Sequence, residues 1–363
     1  MHHRRNLLLA AALVVLCAAA LPAQTFLGGL KNVSTIASTV PANGDVNPYG
    51  IFEVPESSGK LTAGHFLISN FNNGANLQGT GTTIMDIAPS GAVHQFAKID
   101  ASALPGSCPG GVGLTTALVV LKTGWVIVGS LPTSDGTSAT AKAGCLLVLN
   151  NMGKVVETFS GGNVNGPWDM TAIDDDHFAV LFFTNVLNGT VAHSPNVVHE
   201  GTVVRMVLSV SKSKMPAKLT SHVIGSSFPE RTDPGALVIG PTGVAFSLGN
   251  DTLYVADSLN NRIAAIHNAL IRDQTAGTGD TVLSGESLND PLGLAIAPDG
   301  HLIIANGNNG DLVEVTQRGH QVAHKLVDNT GNPPGAGTLF GLDVKTGAVF
   351  FVDDGSNTLN VFK

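Results

Sequence analysis

The chain has 363 residues, among them 43 glycines and 18 prolines, and its 27 acidic and 19 basic residues give a net charge of −8 at pH 7. Only 13% of the residues are charged and the basic residues form no cluster, which argues against nucleic acid and membrane surfaces as partners. Many glycines and few charges are typical of a turn-rich all-β protein.

The N-terminal segment has the pattern of a secretory signal peptide. Arg4 and Arg5 precede an apolar, alanine-rich run over residues 6–24, which is too short for a stable membrane span and ends in small residues. We therefore expect a signal peptide over residues 1–23 and a secreted or periplasmic mature protein over residues 24–363.

A repeated phrase organises the rest of the chain. Each copy holds an apolar run, a Gly/Asp turn, a second apolar run and an Asn/Asp corner, after which a third strand follows. The six copies begin with NPYGIFEV (47–54), GGVGLTTALVV (110–120), NGPWDMTAID (165–174), GPTGVAFSL (240–248), DPLGLAIAP (290–298) and TLFGLDVKT (338–346). Repeats that cannot bury both their faces alone are typical of a β-propeller.

The ends of the chain indicate how the ring closes. The sixth copy finishes with its third strand, NTLNVFK (357–363), and the strand-like segment LKNVSTIASTV (30–40) has no copy of its own. We expect this segment to supply the missing outer strand. The prediction is an all-β, six-bladed β-propeller of four-stranded antiparallel blades, closed by an N-terminal strand, as one domain over residues 24–363.

Two of the copies carry a family resemblance. The segments PTGVAFSLGNDTLYVADSLNNRIAAI (241–266) and PLGLAIAPDGHLIIANGNNG (291–310) resemble NHL repeats, the β-propeller unit of several extracellular enzymes and binding proteins. The whole sequence is similar to exported bacterial NHL-type propellers of no established activity. The resemblance implies the fold and leaves the activity open.

The corners between second and third strands are expected to form one rim of the ring, which we call the Asn/Asp-rich rim. Asn and Asp accept left-handed backbone angles and bond their own turns, so a structural role is the simpler interpretation for Asp257. The alternative is a ligand site of convergent amides and carboxylates. The rim residues are Asn70, Asn72, Asn73, Ser130, Asn185, Asp257, Asn260, Asn261, Asn306, Asn308, Asn309, Asp353, Asp354 and Asn357.

One position of each first strand is expected to face the channel axis, just before a shared glycine. The residues assigned to it are Tyr49, Val112, Trp168, Thr242, Leu292 and Phe340. Only the third copy lacks the glycine and has Asp169 instead. An aromatic-lined opening formed by Trp168, Tyr49 and Phe340 with one carboxylate suits a glycan or small polar ligand, and Arg262 is a further candidate. Alternatively, Trp168 plugs the channel and Asp169 caps a turn.

The longest corner insertion, residues 186–201, holds candidate metal ligands. His193, His199 and Glu200 have suitable side chains, but their spacing matches no zinc pattern and surface histidines are common. We therefore predict no cofactor, with a divalent metal as the open alternative. Three further histidines, His65, His177 and His301, follow the turns of the opposite rim and are interpreted as exposed turn residues.

Two cysteines remain after the predicted cleavage, Cys108 and Cys145. A pair of cysteines in an exported protein favours one disulfide, and the repeat assignment places both on the same rim of blade two. The alternative is two separate thiols.

Two enzyme classes compare with the predicted ring. Calcium-dependent lactonases share a six-bladed ring and hold the ion with Glu, Asn and Asp at axial positions; here only Asp169 is near, and calcium takes six to eight oxygens. Peptidyl-amidoglycolate lyases resemble NHL rings and use His, Arg and Tyr. For such a site the candidates are Tyr49 and Arg231 or Arg262, with one histidine of the 186–201 insertion.

A non-catalytic ring fits the sequence best. We predict a monomeric, secreted binding or interaction module that takes a small polar ligand, glycan, peptide or protein on its Asn/Asp-rich face. The alternative is a propeller enzyme, either a metal-dependent lyase or a lactonase-like hydrolase.

Overall fold

The computed structural model describes residues 25–363, so the predicted signal peptide over residues 1–23 lies outside it. The described chain opens with helix α1 (Phe26–Gly29) and strand β1 (Val33–Ser38) and continues with six sheets, one for each predicted copy. No helix of the described residues is long and apolar enough to cross a membrane.

The first three blades follow in chain order. Blade one contains β2 (Val46–Glu53), β3 (Phe66–Asn72), β4 (Thr83–Ile87) and β5 (Val93–Lys98). Blade two contains β6 (Leu114–Val120), β7 (Val126–Ser130), β8 (Cys145–Leu149) and β9 (Val155–Phe159). Blade three contains β10 (Pro167–Asp174), β11 (Phe178–Asn185), helix α2 (Thr190–His193), β12 (Val198–Ser211), β13 (Lys214–Asp233) and β14 (Leu237–Ile239).

The last three blades are shorter. Blade four contains β15 (Pro241–Ser247), β16 (Thr252–Asp257), β17 (Arg262–His267) and β18 (Asp280–Ser284). Blade five contains β19 (Pro291–Ile296), β20 (Leu302–Asn306), β21 (Asp311–Val315) and β22 (Gln321–Leu326). Blade six contains β23 (Leu339–Lys345), β24 (Ala348–Asp353) and β25 (Thr358–Phe362). Single 3-10 turns lie at Ala101–Ala103, Ser138–Thr140 and Ser258–Asn260.

Strand β1 closes the ring. It pairs antiparallel with β25, from Val33 opposite Phe362 to Ser38 opposite Thr358, and becomes the outer strand of blade six. The predicted six-bladed propeller with an N-terminal closing strand is confirmed. Blade three differs in detail, because the long β12–β13 hairpin adds β14 as a fifth strand.

The core lies between neighbouring blades. Middle strands such as β8 and β20 are buried along their whole length, since sheets pack on both of their faces, and this explains their continuous apolar sequences CLLVL and LIIAN. Outer strands such as β22 alternate between exposed and half-buried residues. The blades therefore hold one another, and the innermost strands are left to line the axis.

Blade two corrects the predicted axial assignment. The sequence placed Val112 and Gly113 at the level of the shared glycine, but the structure places Thr116 and Ala117 there. The Thr116 hydroxyl donates to the carbonyl oxygen of Trp168 in the next blade, and β6 has one more residue in its bulge than β10. The repeated phrase was aligned four residues too early in blade two, because Gly113 resembles the shared glycine of the other copies.

Cys108 and Cys145 form a disulfide, with their Cα atoms 5.2 Å apart, so the predicted pairing is confirmed. The bond joins the segment leading into blade two to the first residue of β8. It closes a loop with a sequence separation of 37 residues.

Replacing both residues, Cys108→Ser with Cys145→Ser, should destabilise the protein by about 4 kcal/mol, since the loop-entropy model gives that value for a loop of this length. Thermal unfolding of the variant and of wild type, each with and without reductant, measures the effect. We expect reductant to lower the midpoint of wild type only. An unchanged midpoint in the variant, or two titratable thiols in native wild type, would contradict the assignment.

Candidate functional site

The central channel encloses a cavity of about 470 Å³. It is lined by the second halves of the six innermost strands, so its opening lies on the face that carries the turns between first and second strands. This face is opposite to the Asn/Asp-rich rim. One apolar residue from each blade rings the cavity: Ile51, Leu118, Met170, Val244, Leu294 and Leu342.

Close packing of the innermost strands sets the width of the channel. At Gly243, Gly293 and Gly341 an added Cβ atom would overlap the carbonyl oxygen of the next blade, which explains the shared glycine structurally. Blade three has Asp169 at this position. Its carboxylate reaches across to blade four and accepts a 3.0 Å hydrogen bond from the backbone amide of Val244.

Three carboxyl groups line the cavity, those of Glu53, Asp169 and Asp343. Asp343 accepts a 3.0 Å hydrogen bond from the amide of Glu53 in the next blade. The Glu53 carboxylate forms a 2.6 Å ion pair with Lys345, whose ammonium group also lies 5.0 Å from the centre of the Phe66 ring. Within residues 25–363, no ion pair involves Asp169 or Asp343.

Burial changes the acidity of two of these groups. Loss of water contact raises the pKa of Asp169 to about 7, and the hydrogen bond from Val244 only partly offsets this effect. Loss of water contact also raises the pKa of Asp343 to about 6; the amide of Glu53 lowers it and the charge of Glu53 raises it further. The carboxyl groups of Asp169 and Asp343 therefore gain and lose their protons near neutral pH.

The aromatic candidates lie together at the other end of the channel. The Tyr49 ring stacks on Phe340 at 3.9 Å and on Phe71 at 4.5 Å, and Trp168 meets both Tyr49 and Phe71 edge-on. Tyr49, Trp168 and Phe340 are at most 6% exposed. This arrangement matches the alternative interpretation, in which Trp168 plugs the channel, and it makes the channel a cup with one open end.

The Asp257 corner is a buried polar network built on Oδ2 of Asp257, whereas Oδ1 has no partner among residues 25–363. Asp257 is completely buried, and its carboxylate accepts hydrogen bonds from Nε of Arg262 at 2.9 Å and from Asn260 at 2.9 Å. Arg262 also donates to the carbonyl oxygen of Thr278, and Asn261 has the left-handed φ of 46° that its turn needs. These contacts explain the conspicuous Asp-x-x-Asn-Asn-Arg sequence, and they hold Arg262 away from the aromatic plug.

The candidate metal ligands of the 186–201 insertion, His193, His199 and Glu200, do not converge on one point. His193 is exposed and its Nδ1 lies 2.9 Å from the carbonyl oxygen of Gly189, while His199 and Glu200 are exposed at the start of β12. Among the described residues, the one triad of His, Cys, Asp or Glu with suitably close ligand atoms is Asp299, His301 and Glu314.

That triad has a structural task. The buried Glu314 accepts hydrogen bonds from the amides of Phe26 (3.0 Å) and Leu27 (2.8 Å) and contacts His301 Nδ1 at 2.6 Å. Its oxygens thus anchor helix α1 to blade five. His65 makes the same contact with Asp86, at 2.7 Å, in blade one. His65 and His301 are half-buried pairing residues, which corrects their interpretation as exposed turn residues.

Sequence reasoning missed Glu53 and Asp343. Both lie at ordinary strand ends in the first and sixth copies, and no motif marks them. Comparing the second and third positions after the shared glycine in all copies would have found them, because the other copies have Phe, Val, Thr or Ala at the position of Asp343 and Val, Ala, Phe or Ile at the position of Glu53.

Comparisons with known proteins support the fold. No family model matches the chain and no curated protein matches its sequence, so the resemblance to NHL repeats stays a prediction. Among solved structures, a gluconolactonase from Xanthomonas campestris aligns with a TM-score of 0.53 and 14% identity over 91% of this chain and 88% of that chain. A luciferin-regenerating enzyme aligns at 0.52, with 12% identity over 92% and 95%. At such identities the likeness shows the six-bladed fold alone.

A third solved structure is a calcium-binding protein, regucalcin, from Agrobacterium tumefaciens, with a TM-score of 0.51 and 11% identity over 90% of this chain and 94% of that chain. The axial level of this chain, corrected in blade two, has Tyr, Thr, Trp, Thr, Leu and Phe. It therefore lacks the Glu, Asn and Asp that a calcium-dependent lactonase of the kind considered above would need there.

The variant Asp169→Asn should change the pH dependence of stability. Because the folded-state pKa of Asp169 is raised from 3.8 to about 7, wild type loses stability from this group as the pH rises from about 4 to about 7. The asparagine variant has no such loss. Relative to wild type it should gain about 2 kcal/mol between pH 4 and pH 8, since channel water screens part of the effect.

Urea unfolding of both proteins at several pH values measures this difference. Asp176→Asn, at an exposed turn on the same face, is the control and should follow wild type throughout. A constant difference between Asp169→Asn and wild type across the range would show that Asp169 ionises normally in the folded protein.

Proposed function

We propose that this protein binds a small organic ammonium ion in the channel cavity, entering from the face opposite the Asn/Asp-rich rim. The observation that carries the proposal is the charge of the cavity. All three ionisable residues that line it are acids, and Asp169 has no cationic partner among the described residues. A ligand that brings a positive charge would replace the water that Asp169 loses on burial.

The shape and walls of the cavity support a ligand of modest size. A volume of about 470 Å³ lies within the usual range for small-molecule sites. The apolar ring around it would contact the hydrocarbon part of an amine, while Asp169 and Asp343 would accept hydrogen bonds from its ammonium group. The sequence predicted the ligand on the Asn/Asp-rich rim beside Trp168. Because Trp168 and its aromatic neighbours are buried, we place the ligand at the opposite, open end of the channel.

We also propose that the protein is exported and acts as a monomeric binding module. The basic start and apolar run of the N-terminus support export, and so does the disulfide, which is typical of oxidising compartments.

The test is calorimetric titration with amines of one carbon skeleton. Butylammonium and putrescine should bind, and butanol, butyrate and glucose should not. Affinity should fall about tenfold from pH 8 to pH 6, because the carboxyl of Asp169, with a pKa near 7, must lose its proton before it pairs with the cation.

Variants locate the binding. Asp169→Asn should weaken amine binding at least tenfold at pH 8, whereas Asp176→Asn, the exposed control on the same face, should bind like wild type. Absence of binding by every amine, or equal binding by butanol and butylammonium, would overturn the proposal.

One observation favours a second function, acid–base catalysis. Two carboxyls with a pKa of about 7 and about 6 in one cavity are suited to donate and accept protons near neutral pH. On this alternative the ring is a lactonase-like hydrolase or a lyase that works through Asp169 and Asp343. Turnover of glucono-lactone by wild type, and its loss in Asp169→Asn with folding intact, would favour catalysis over simple binding.

A further inference from the structure

The carboxyl group of Glu230 is buried and forms no hydrogen bond of normal geometry among residues 25–363. Glu230 belongs to β13 in blade three and has no exposed surface, and the backbone amide of Asn188 faces its carboxyl group without completing such a bond. Its Cβ lies beside Gly240 and its neighbour Val186, beneath the 186–201 insertion. A buried, unpaired carboxylate is unfavourable by several kcal/mol, so such a group is normally neutralised or paired.

A second carboxylate faces the same region. The side chain of Glu200 folds back onto the insertion, where an added Cβ atom on Gly189 would lie 2.6 Å from its Oε2. The backbone carbonyl of Glu200 accepts a 3.0 Å hydrogen bond from Asn188, which holds it against the insertion. Val198, two residues before Glu200, pairs with Glu230 between β12 and β13, so the two glutamates lie on neighbouring strands. Burial first, and then the charge of Glu200, raises the pKa of Glu230 to about 9, while the backbone amide of Asn188 lowers it.

A third oxygen is left without a partner at the same interface. Thr190, the first residue of α2, is fully buried and its hydroxyl has no partner among the described residues. Helix α2 packs against β13, and a 2.6 Å hydrogen bond between Ser194 and Thr232 fastens the helix to that strand. Buried oxygen atoms of Thr190 and Glu230 therefore lack partners where the insertion packs on β13.

We propose that a divalent metal ion, Ca²⁺, binds between the 186–201 insertion and β13, with Glu200, Glu230 and Thr190 as its ligands. All three supply hard oxygen donors, which calcium prefers, and two bidentate carboxylates with water would complete its coordination. The ion neutralises both carboxylates and gives each unpartnered oxygen a partner. The site shares Glu200 with the candidate metal ligands of the sequence analysis but uses neither His193 nor His199, and it is independent of the ammonium site proposed in the channel.

The experiment uses tag-free mature protein stripped with chelator and titrated with CaCl₂ by calorimetry. We expect one ion per chain, and a rise in the unfolding midpoint of about 4 °C at a calcium concentration a hundredfold above Kd. Calcium should also slow amide hydrogen exchange in residues 186–201. No calcium binding by stripped wild type, up to millimolar concentration, would overturn the proposal.

Variants separate this site from the other acids. Glu230→Gln and Glu200→Gln should each abolish the calcium-dependent rise in midpoint, and Glu230→Gln should be at least as stable as stripped wild type because it removes an unpaired carboxyl. The matched control Glu286→Gln, at an exposed turn, and Asp169→Asn should keep calcium binding. Binding that persists in both Glu230→Gln and Glu200→Gln would place the ion elsewhere and refute the assignment.

Discussion

At one level of the channel the backbones of neighbouring innermost strands touch, and a Cβ atom at Gly243, Gly293 or Gly341 would overlap a carbonyl oxygen of the next blade. This contact draws the six sheets together and fixes the width of the channel. Blade three has no glycine at this level. Its Asp169 extends its side chain to blade four, where the carboxylate accepts a hydrogen bond from the amide of Val244. The ring departs from glycine at Ala117 in blade two and at Asp169 in blade three, and of these two residues Asp169 brings a charge to the axis.

The two ends of the channel have different chemistry as a result. Large aromatic side chains fill the end above this level, where Tyr49, Trp168 and Phe340 pack edge to face and face to face. Below it the smaller ring residues leave a cavity, and the acids at the strand ends surround its opening. Asp169 and Asp343 lose water contact in this cup and form no ion pair among residues 25–363, so their carboxyl groups take up protons near neutral pH.

Much of the architecture could be predicted because the same pattern of apolar runs and turns recurs six times in the sequence. The six phrases gave the blade number, the unmatched segment at residues 30–40 gave the closure, and the position of Cys108 and Cys145 on one rim favoured their pairing. The corner at Asp257 was correctly favoured as structural, since a residue type needed in most blades serves the blade. These inferences use local pattern and need no knowledge of side-chain direction.

The site could not be predicted in the same way. In blade two the axial level lies at Thr116 and not at Val112, because Gly113 resembles the shared glycine and the longer bulge of β6 has no signal in the sequence. Which end of the channel is filled depends on side-chain packing among blades one, three and six, far apart in the chain. The burial of Glu230 likewise follows from how the insertion folds over β13. The sequence suggested His193 and His199 in that insertion as metal ligands and had no signal for Glu230.

The central claim is that Asp169 lies uncompensated in a cavity that accepts a cation. The most direct measurement is the pKa of the Asp169 carboxyl group, followed by NMR through the resonance of its carboxyl carbon in aspartate-labelled protein. The variant Asp169→Asn assigns the resonance, and wild type is titrated first without and then with butylammonium. The account predicts a midpoint near pH 7 in the free protein, moving to lower pH when the amine binds, because the cation stabilises the ionised form. A midpoint near pH 4, or one that butylammonium leaves unchanged, would contradict it.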